Sequence, residues 1–305
     1  MDALSDLARV VAVEASFFSR AQASGRWGVS TRGAENAIFH AVLRGRGVAS
    51  AAGGVPVAFG PGDLLLFPRG SSHVIASDDE APRTPITALP RVVSESGLPC
   101  VVAGVDRAAE PEVDILCGTF RFDADARACL LPQLPELVHA PAAPGSAPWL
   151  VSTAALLDAE LRRGLAGADV LLSRLGDVLM VQILRGWLAQ HEAPGWVGAL
   201  ADPVLARVLG LVHAHPERDW TAAELARRAG MSRSAFFAYF TARVGEPPAA
   251  YLLRWRMWVA RRFLRDRRRG VAEVGRTVGY ASEAAFSRAF KRAVGTAPAA
   301  WRQAA

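Results

Sequence analysis

The last hundred residues carry one pattern twice, and a chain so built is committed to two copies of a single small helical unit. Residues 225–251 (LARRAGMSRSAFFAYFTARVGEPPAAY) align with residues 274–301 (VGRTVGYASEAAFSRAFKRAVGTAPAAW), pairing Gly230 with Gly279, Phe236 with Phe286, Phe240 with Phe290 and Val244 with Val294. The separation is 49 residues up to the first glycine pair and 50 beyond it, so the later copy has one extra residue between turn and second helix. Thr221 followed by Glu224 is a capping box, Gly230 can take the left-handed conformation that ends a helix, and Ser232 can cap the next one. Phe236, Phe240 and Val244 recur every four residues as an apolar ridge, which leaves Arg233, Ser234, Phe237 and Ala238 on the other flank. In the second copy Ser282 is the cap, Phe286, Phe290 and Val294 form the ridge, and Glu283, Ala284, Ser287, Arg288 and Lys291 face outward. Ala226 and Gly275 stand where paired helices cross and permit close approach. Each copy reads as a helix-turn-helix.

Charge separates a duplicated helical bundle from a nucleic-acid reader. Residues 202–305 hold 19 arginines and lysines against 8 carboxylates, whereas residues 1–201 hold 16 against 21. A basic domain with tandem recognition motifs beside an acidic domain has the electrostatic footprint of a protein that binds double-stranded DNA.

These residues carry a resemblance. Residues 202–302, and above all VGYASEAAFSRAFKRAVGTAPAAWR, resemble the DNA-binding domain of the AraC/XylS family of bacterial transcription regulators. The resemblance implies seven helices, with two helix-turn-helix units joined by a long helix near residues 248–265, where Leu252, Trp255, Val259 and Phe263 recur at helical spacing. It also implies that the second helix of each unit is inserted into the major groove, the two insertions lying about one turn of DNA apart. Carried over, the base-facing positions are Arg233, Ser234 and Ala238 in the first unit and Glu283, Ala284, Ser287 and Arg288 in the second; Phe237 and Ser282 complete the DNA-facing set. Arg288 suits guanine, to which a guanidinium can give two hydrogen bonds. Ala238 stands where relatives often carry a long polar side chain, so the first unit suits DNA shape or a thymine methyl. Ser232, Thr241, Arg243 and Lys291 suit phosphates, which set register and salt dependence. For any single arginine, a merely solvated charge is an equal reading.

The front of the chain changes character. Between residues 36 and 122, short runs such as AIFHAVL, VPVAF and DLLLF alternate with RGRG, SAAGG and GPGD, the pattern of strands and tight turns. Residues 62–73 (GDLLLFPRGSSH) fit the second cupin motif and resemble a small β-barrel sensor of cupin type; the first motif is degraded to Phe39-His40-Ala41, with no acid at the usual spacing. His40, His73 and Cys117 can converge inside such a barrel, where two imidazoles and a thiolate would suit zinc or an oxidant, or could line a metal-free effector pocket. A buried histidine or cysteine that merely packs is the competing reading. Residues 78–112 read as a long loop, which makes Cys100 the more exposed thiol. Cys100, Cys117 and Cys129 form no CxxC pair, and no basic leader or apolar run of about 18 residues is present, so a reducing cytoplasm and no membrane partner are expected.

The break HAPAAPGSAPW at residues 139–149 precedes amphipathic segments at 150–165 and 168–190, which can pack on the barrel or pair with another subunit, and residues 191–195 read as a hinge. The expected fold class is α+β multidomain: a cupin-like sensor at residues 1–140, a helical extension at 141–195 and an all-α double helix-turn-helix domain at 202–303. The function expected is a sequence-specific transcription regulator, by resemblance an activator that contacts RNA polymerase, controlled by a small molecule, metal or redox signal and able to form a homodimer. The alternative is a metal-dependent cupin enzyme with a DNA-binding appendix, against which the missing first motif counts. A DNA alkyl-repair protein would need a proline-cysteine-histidine-arginine setting, and the sequence has none.

Overall fold

The computed structural model describes residues 13–304 except 52, 95–96, 105–109, 143–145, 164 and 191–194. Residues 12–191 form one compact unit and residues 192–305 the body of a second. Of the expected hinge at residues 191–195, residues 191–194 lie outside the described residues. No helix among the described residues is long and apolar enough to cross a membrane.

The first unit has twelve described strands: β1 (Val13–Ala23), β2 (Gly28–Thr31), β3 (Ala37–Arg44), β4 (Gly47–Ala51), β5 (Val57–Phe59), β6 (Leu64–Phe67), β7 (His73–Ala76), β8 (Thr84–Pro85), β9 (Arg91–Val93), β10 (Pro99–Ala103), β11 (Val113–Phe122) and β12 (Val138–Ala140). They form a seven-stranded sheet in the order β12-β6-β3-β11-β1-β10-β9 and a five-stranded sheet in the order β5-β4-β7-β2-β8, neither closed on itself. Trp27, Val42, Phe59, Leu65, Ile75 and Ile115 meet in a core drawn from both sheets. The cupin-type turn between β6 and β7 depends on Gly70, whose φ is +63° and where a Cβ would lie 2.2 Å from the Ala34 carbonyl oxygen. Only glycine fits there.

Two expectations need correction. Residues 78–112 are not one long loop, since β8, β9 and β10 lie within them, and β10 pairs in parallel with β1, setting Cys100 beside Arg20. Cys100 is therefore 0% exposed, and Cys117 is the more accessible thiol. Burial, with Asp114 adding to it, pushes the Cys100 thiol up to about 11. The described part of residues 139–149 is also more regular than its proline and alanine content suggests. β12 takes residues 138–140, and helix α2 (Ser146–Arg163), which follows the short α1 (Ala124–Cys129), already includes Pro148. Proline is tolerated in a first helical turn because no intrahelical partner awaits its missing N–H. Helix α3 (Ala168–Leu188) buries Leu179, Met180, Ile183, Leu184 and Trp187 and packs on β1 and β12, so the apolar segment at 168–190 finds its partner surface on the sheet.

One buried carboxylate ties this unit together. Asp63, inside the cupin-type motif, accepts from the Gly60 amide at 2.9 Å, the Ala142 amide at 2.8 Å and His139 Nε2 at 2.9 Å. Burial works to raise its pKa, but His139 and the two amides outweigh that and hold it below the usual carboxylate value. A depressed folded pKa means stability that is present above the unfolded value and lost as pH falls through the folded one. Asp63→Asn turns one acceptor into a donor facing donors, and should cost about 1–3 kcal/mol at neutral pH. Urea unfolding at pH 7 and pH 3 should show the difference between the proteins shrinking in acid; a constant difference would reject the ionised clasp.

In the second unit α4 (Gly195–Ala199), a short helix that starts at the last residue of the expected hinge, precedes the seven expected helices: α5 (Pro203–Ala214), α6 (Ala222–Ala229), α7 (Arg233–Val244), α8 (Pro248–Arg265), α9 (Val271–Thr277), α10 (Glu283–Val294) and α11 (Pro298–Ala304). Thr221 caps α6 through the Glu224 amide, while the Glu224 carboxylate receives Arg218. Ser232 caps α7 through the Ala235 amide and Ser282 caps α10 through the Ala285 amide, each at 3.2 Å. The extra residue of the second copy lies after Gly279, whose φ is +87° and where a Cβ would sit 2.6 Å from the Glu217 carbonyl oxygen. The connector α8 packs against α7, α9, α10 and α11, burying Tyr251, Trp255 and Trp258. His213 lies in this core, sharing a 2.6 Å hydrogen bond with the Tyr251 hydroxyl and stacking on Trp255.

Candidate functional site: a buried pocket and a nucleic-acid interface

The antiparallel pairing of β3 with β11 sets His40 opposite Cys117, and β7 opens on His73. The three side chains do meet, in a line. His40 Nδ1 lies 3.1 Å from Cys117 Sγ, His40 Nε2 lies 3.0 Å from His73 Nε2, and His73 Nδ1 lies 2.9 Å from the Ser71 carbonyl oxygen. The carbonyl only accepts, so His73 carries its proton on Nδ1 and offers Nε2 as an acceptor. His40 must then donate from Nε2, which leaves its Nδ1 to accept from the Cys117 thiol. Burial, and next the neighbouring His73, push the His40 pKa well below the ordinary histidine value; burial also lowers His73 despite the Ser71 carbonyl. Burial raises the Cys117 thiol far above its usual range. All three groups are neutral at pH 7, and a protonated thiol is a poor nucleophile.

That geometry does not suit zinc. Cys117 approaches the Nδ1 edge of His40 and His73 the Nε2 edge, so the three donors do not surround one point, and each nitrogen lone pair already receives a proton. Among the described residues no group of three histidine, cysteine or acidic side chains is arranged to hold a metal. The same residues instead help to line a cavity of about 170 Å³. Its remaining walls include Ala21, Trp27, Val29, Ile75, Val101 and Ile115. Ala21 and Val101 come from β1 and β10, elements whose part in the site the sequence reading missed. Arg20, the one charged residue in the lining, is paired with Asp114.

The second site is the outer flank of the helical unit. Phe236, Phe240, Phe286 and Phe290 are buried, while Ser232, Arg233, Ser234, Phe237 and Ala238 of the first copy and Ser282, Glu283, Ala284, Arg288 and Lys291 of the second are exposed. Ser287 and Val294 are half-buried, so the second ridge closes less completely than the first. Phe237 is 47% exposed, an aromatic surface at the centre of α7. Thr241 turns its hydroxyl inward, where the oxygen is buried, and does not present it to a phosphate. Arg243 is exposed beside the Tyr239 ring, and Tyr239 donates to Asp202.

Several arginines are committed to structure. Arg254 pairs with Glu246, Arg256 donates to the Pro216 and Arg218 carbonyls, and Arg302 donates to the Leu264 and Arg269 carbonyls. Arg267, Arg268, Arg276 and Arg292 are exposed, a set of cations that the repeat alignment alone did not single out.

Comparison with known proteins is consistent across both units. Residues 2–189 match the family described as Cupin, and residues 225–304 the one described as a helix-turn-helix domain. Over 309 residues, 99% of this chain and 98% of that protein, the sequence is 34% identical to an AraC-like transcription regulator of Streptomyces lividans. It is 28% identical over 311 residues, 99% of each chain, to the HTH-type transcriptional regulator AlkR of Acinetobacter baylyi. The DNA-binding domain of AdpA, a global transcriptional factor crystallised with a target DNA, is similar over 34% of this chain and 92% of that one, with 33% identity and a TM-score of 0.32.

Proposed function

Because the chain belongs to the AraC-type family of DNA-binding transcription regulators, with a cupin domain ahead of a helix-turn-helix domain, we propose that α7 and α10 read successive major grooves of one operator under the control of a small molecule held in the pocket of the first unit. The observation that carries the first half is the pair of serine-capped helices with buried phenylalanine ridges and exposed polar flanks. The full-length relatives are named as transcription regulators, and the chain is a regulator, not a cupin enzyme. Neutral, mutually hydrogen-bonded His40, His73 and Cys117 favour ligand control over metal or redox control.

In this reading residues 1–140 act as sensor, residues 141–195 as its helical extension and residues 202–303 as reader. A ligand regulates only by binding one arrangement of sensor and reader better than another. The family favours activation through contact with RNA polymerase in the cytoplasm. Exposed Leu156, Leu165, Val170 and Leu171 on and beside α2 and α3 support a homodimer through the helical extension. Arg233, Ser234, Phe237 and Ala238 face bases in the first half-site, and Glu283, Ala284, Ser287 and Arg288 in the second. Ser232, Ser282, Arg243 and Lys291 lie against phosphates.

Genome-wide mapping of bound DNA tests the reading, since it yields the operator and the genes beside it. At that operator, Arg288→Ala should cost about 1–3 kcal/mol and relax preference at one guanine. An unchanged base preference in a competition assay would remove Arg288 from the reading set. The apolar edge made by Phe237 and Ala238 should seat a thymine methyl, so replacing that thymine with uracil should weaken binding by about 0.8 kcal/mol, the worth of one buried methylene-sized group. Equal affinity for thymine and uracil at every position of the first half-site would exclude that contact.

A further inference from the structure

We propose that the pocket of the first unit is built for a small, uncharged, largely apolar molecule of about the size of a single aromatic ring, and that it discriminates against anions, sugars and metal ions. The proposal rests on the reading of this unit as a sensor and gives its ligand a chemical class.

Size comes first. A cavity of about 170 Å³ is close to the roughly 150 Å³ at which an engineered apolar cavity in another protein admits benzene. Neither a long acyl chain nor a dinucleotide fits wholly inside it. Wall chemistry comes second. Ala21, Trp27, Val29, Ile75, Val101 and Ile115 present hydrocarbon and an indole. The hydroxyls in the lining, those of Ser19, Thr31 and Thr119, are too few to repay the water a polyhydroxyl ligand loses, and every unpaired hydroxyl counts against binding.

The third argument is the direction of the hydrogen bonds. The thiol of Cys117 donates to His40, His40 donates to His73, and His73 donates to the Ser71 carbonyl. Thr31, also in the lining, donates its hydroxyl to the His73 carbonyl. The chain ends on the backbone with no imidazole proton or lone pair left over, so a ligand meets imidazole as aromatic surface. One imidazole is also held in place as such, since His73 stacks on Phe67 with centroids 3.9 Å apart. An anion needs a cation facing it, and Arg20, the charged residue in the lining, is already held by Asp114. A metal would have to break the His40 to His73 bond and would find Cys117 on the far edge of His40.

The test uses full-length protein and four probes: toluene, benzoate, ribose and zinc ion. Titration followed by ligand-observed NMR should show saturable binding of toluene, at least tenfold weaker binding of benzoate and none of ribose. Elemental analysis should find no stoichiometric zinc after equilibration and buffer exchange. Ala21→Phe and Val101→Phe, which fill the cavity from two different strands, should each weaken toluene at least tenfold; the comparison of probes on the unaltered protein decides the class even if one variant fails to fold. Benzoate or ribose binding as tightly as toluene, no saturable toluene binding, or one zinc per chain would each overturn the proposal. Failure of the sensor reading itself would look different. Toluene would bind and be lost in the filled variants, yet those variants would regulate the mapped promoter as the unaltered protein does.

Discussion

Operator affinity should fall about 10³-fold or more as monovalent salt rises from about 50 to about 200 mM, the response of a protein that displaces counterions from six or more phosphates. The structure says which cations should carry that slope. Arg233, Arg243, Arg267, Arg268, Arg276, Arg288, Lys291 and Arg292 are among the exposed cations of the reader, which also include Arg207, Arg227, Arg228, Arg262 and Arg265. Arg254, Arg256 and Arg302 are spent on a carboxylate and on backbone carbonyls. Replacing Lys291 with alanine should therefore lower the slope of log affinity against log salt by about 1. Replacing Arg256 should leave the slope alone and weaken the fold, because two carbonyl acceptors would lose their donor. Fluorescence anisotropy with labelled operator across the salt range measures both. A slope near zero, or an Arg256 variant that changes the slope as Lys291 does, would mean that these helices do not lie along a phosphate backbone.

How far the sequence anticipates this arrangement differs between the two units, for physical reasons. In the reader every structural signal is local. Serine caps, left-handed glycines and four-residue phenylalanine spacing each act within one or two helical turns, and the connecting helix spans the expected residues, Pro248–Arg265. The short α4 escaped notice because five residues offer too little period to detect. In the sensor the signals are non-local. β1 lies well inside the larger sheet, yet its sequence VEASFFSRAQA is rich in residues that favour helices elsewhere, and only pairing with β10 and β11 makes it a strand. β10 was hidden between a proline and a glycine, and with it the burial of Cys100. The meeting of His40, His73 and Cys117 was legible as a possibility from the cupin-type motif. That they meet in a line, with His40 in the middle, depends on which edge of each ring faces which neighbour, and spacing along a chain carries no such information.

A large loss of stability in the reader should come from Phe286→Ala. Phe286 is 0% exposed and stacks obliquely on Tyr280 and Phe290 with centroids 5.6 and 5.5 Å away. It also touches the crossing of α9 and α10, since a Cβ added at Gly275 would lie 3.0 Å from the Phe286 Cβ. Truncation removes the ring and leaves a cavity that this close crossing cannot collapse to fill, at a cost of about 3–5 kcal/mol. Against a total of about 5–15 kcal/mol for a typical domain, that is enough to populate an unfolded reader. Phe237 provides the control. It lies on the same kind of helix in the first copy, nearly half exposed, and Phe237→Ala should change stability by less than about 0.5 kcal/mol. Urea titration of both variants, followed by circular dichroism and paired with operator binding, separates the two roles. Phe286→Ala should lose the fold and, with it, binding. Phe237→Ala should keep the fold and lose only the preference for thymine in its half-site. If the two substitutions were equally costly to stability, the assignment of one flank to the core and the other to DNA would be wrong.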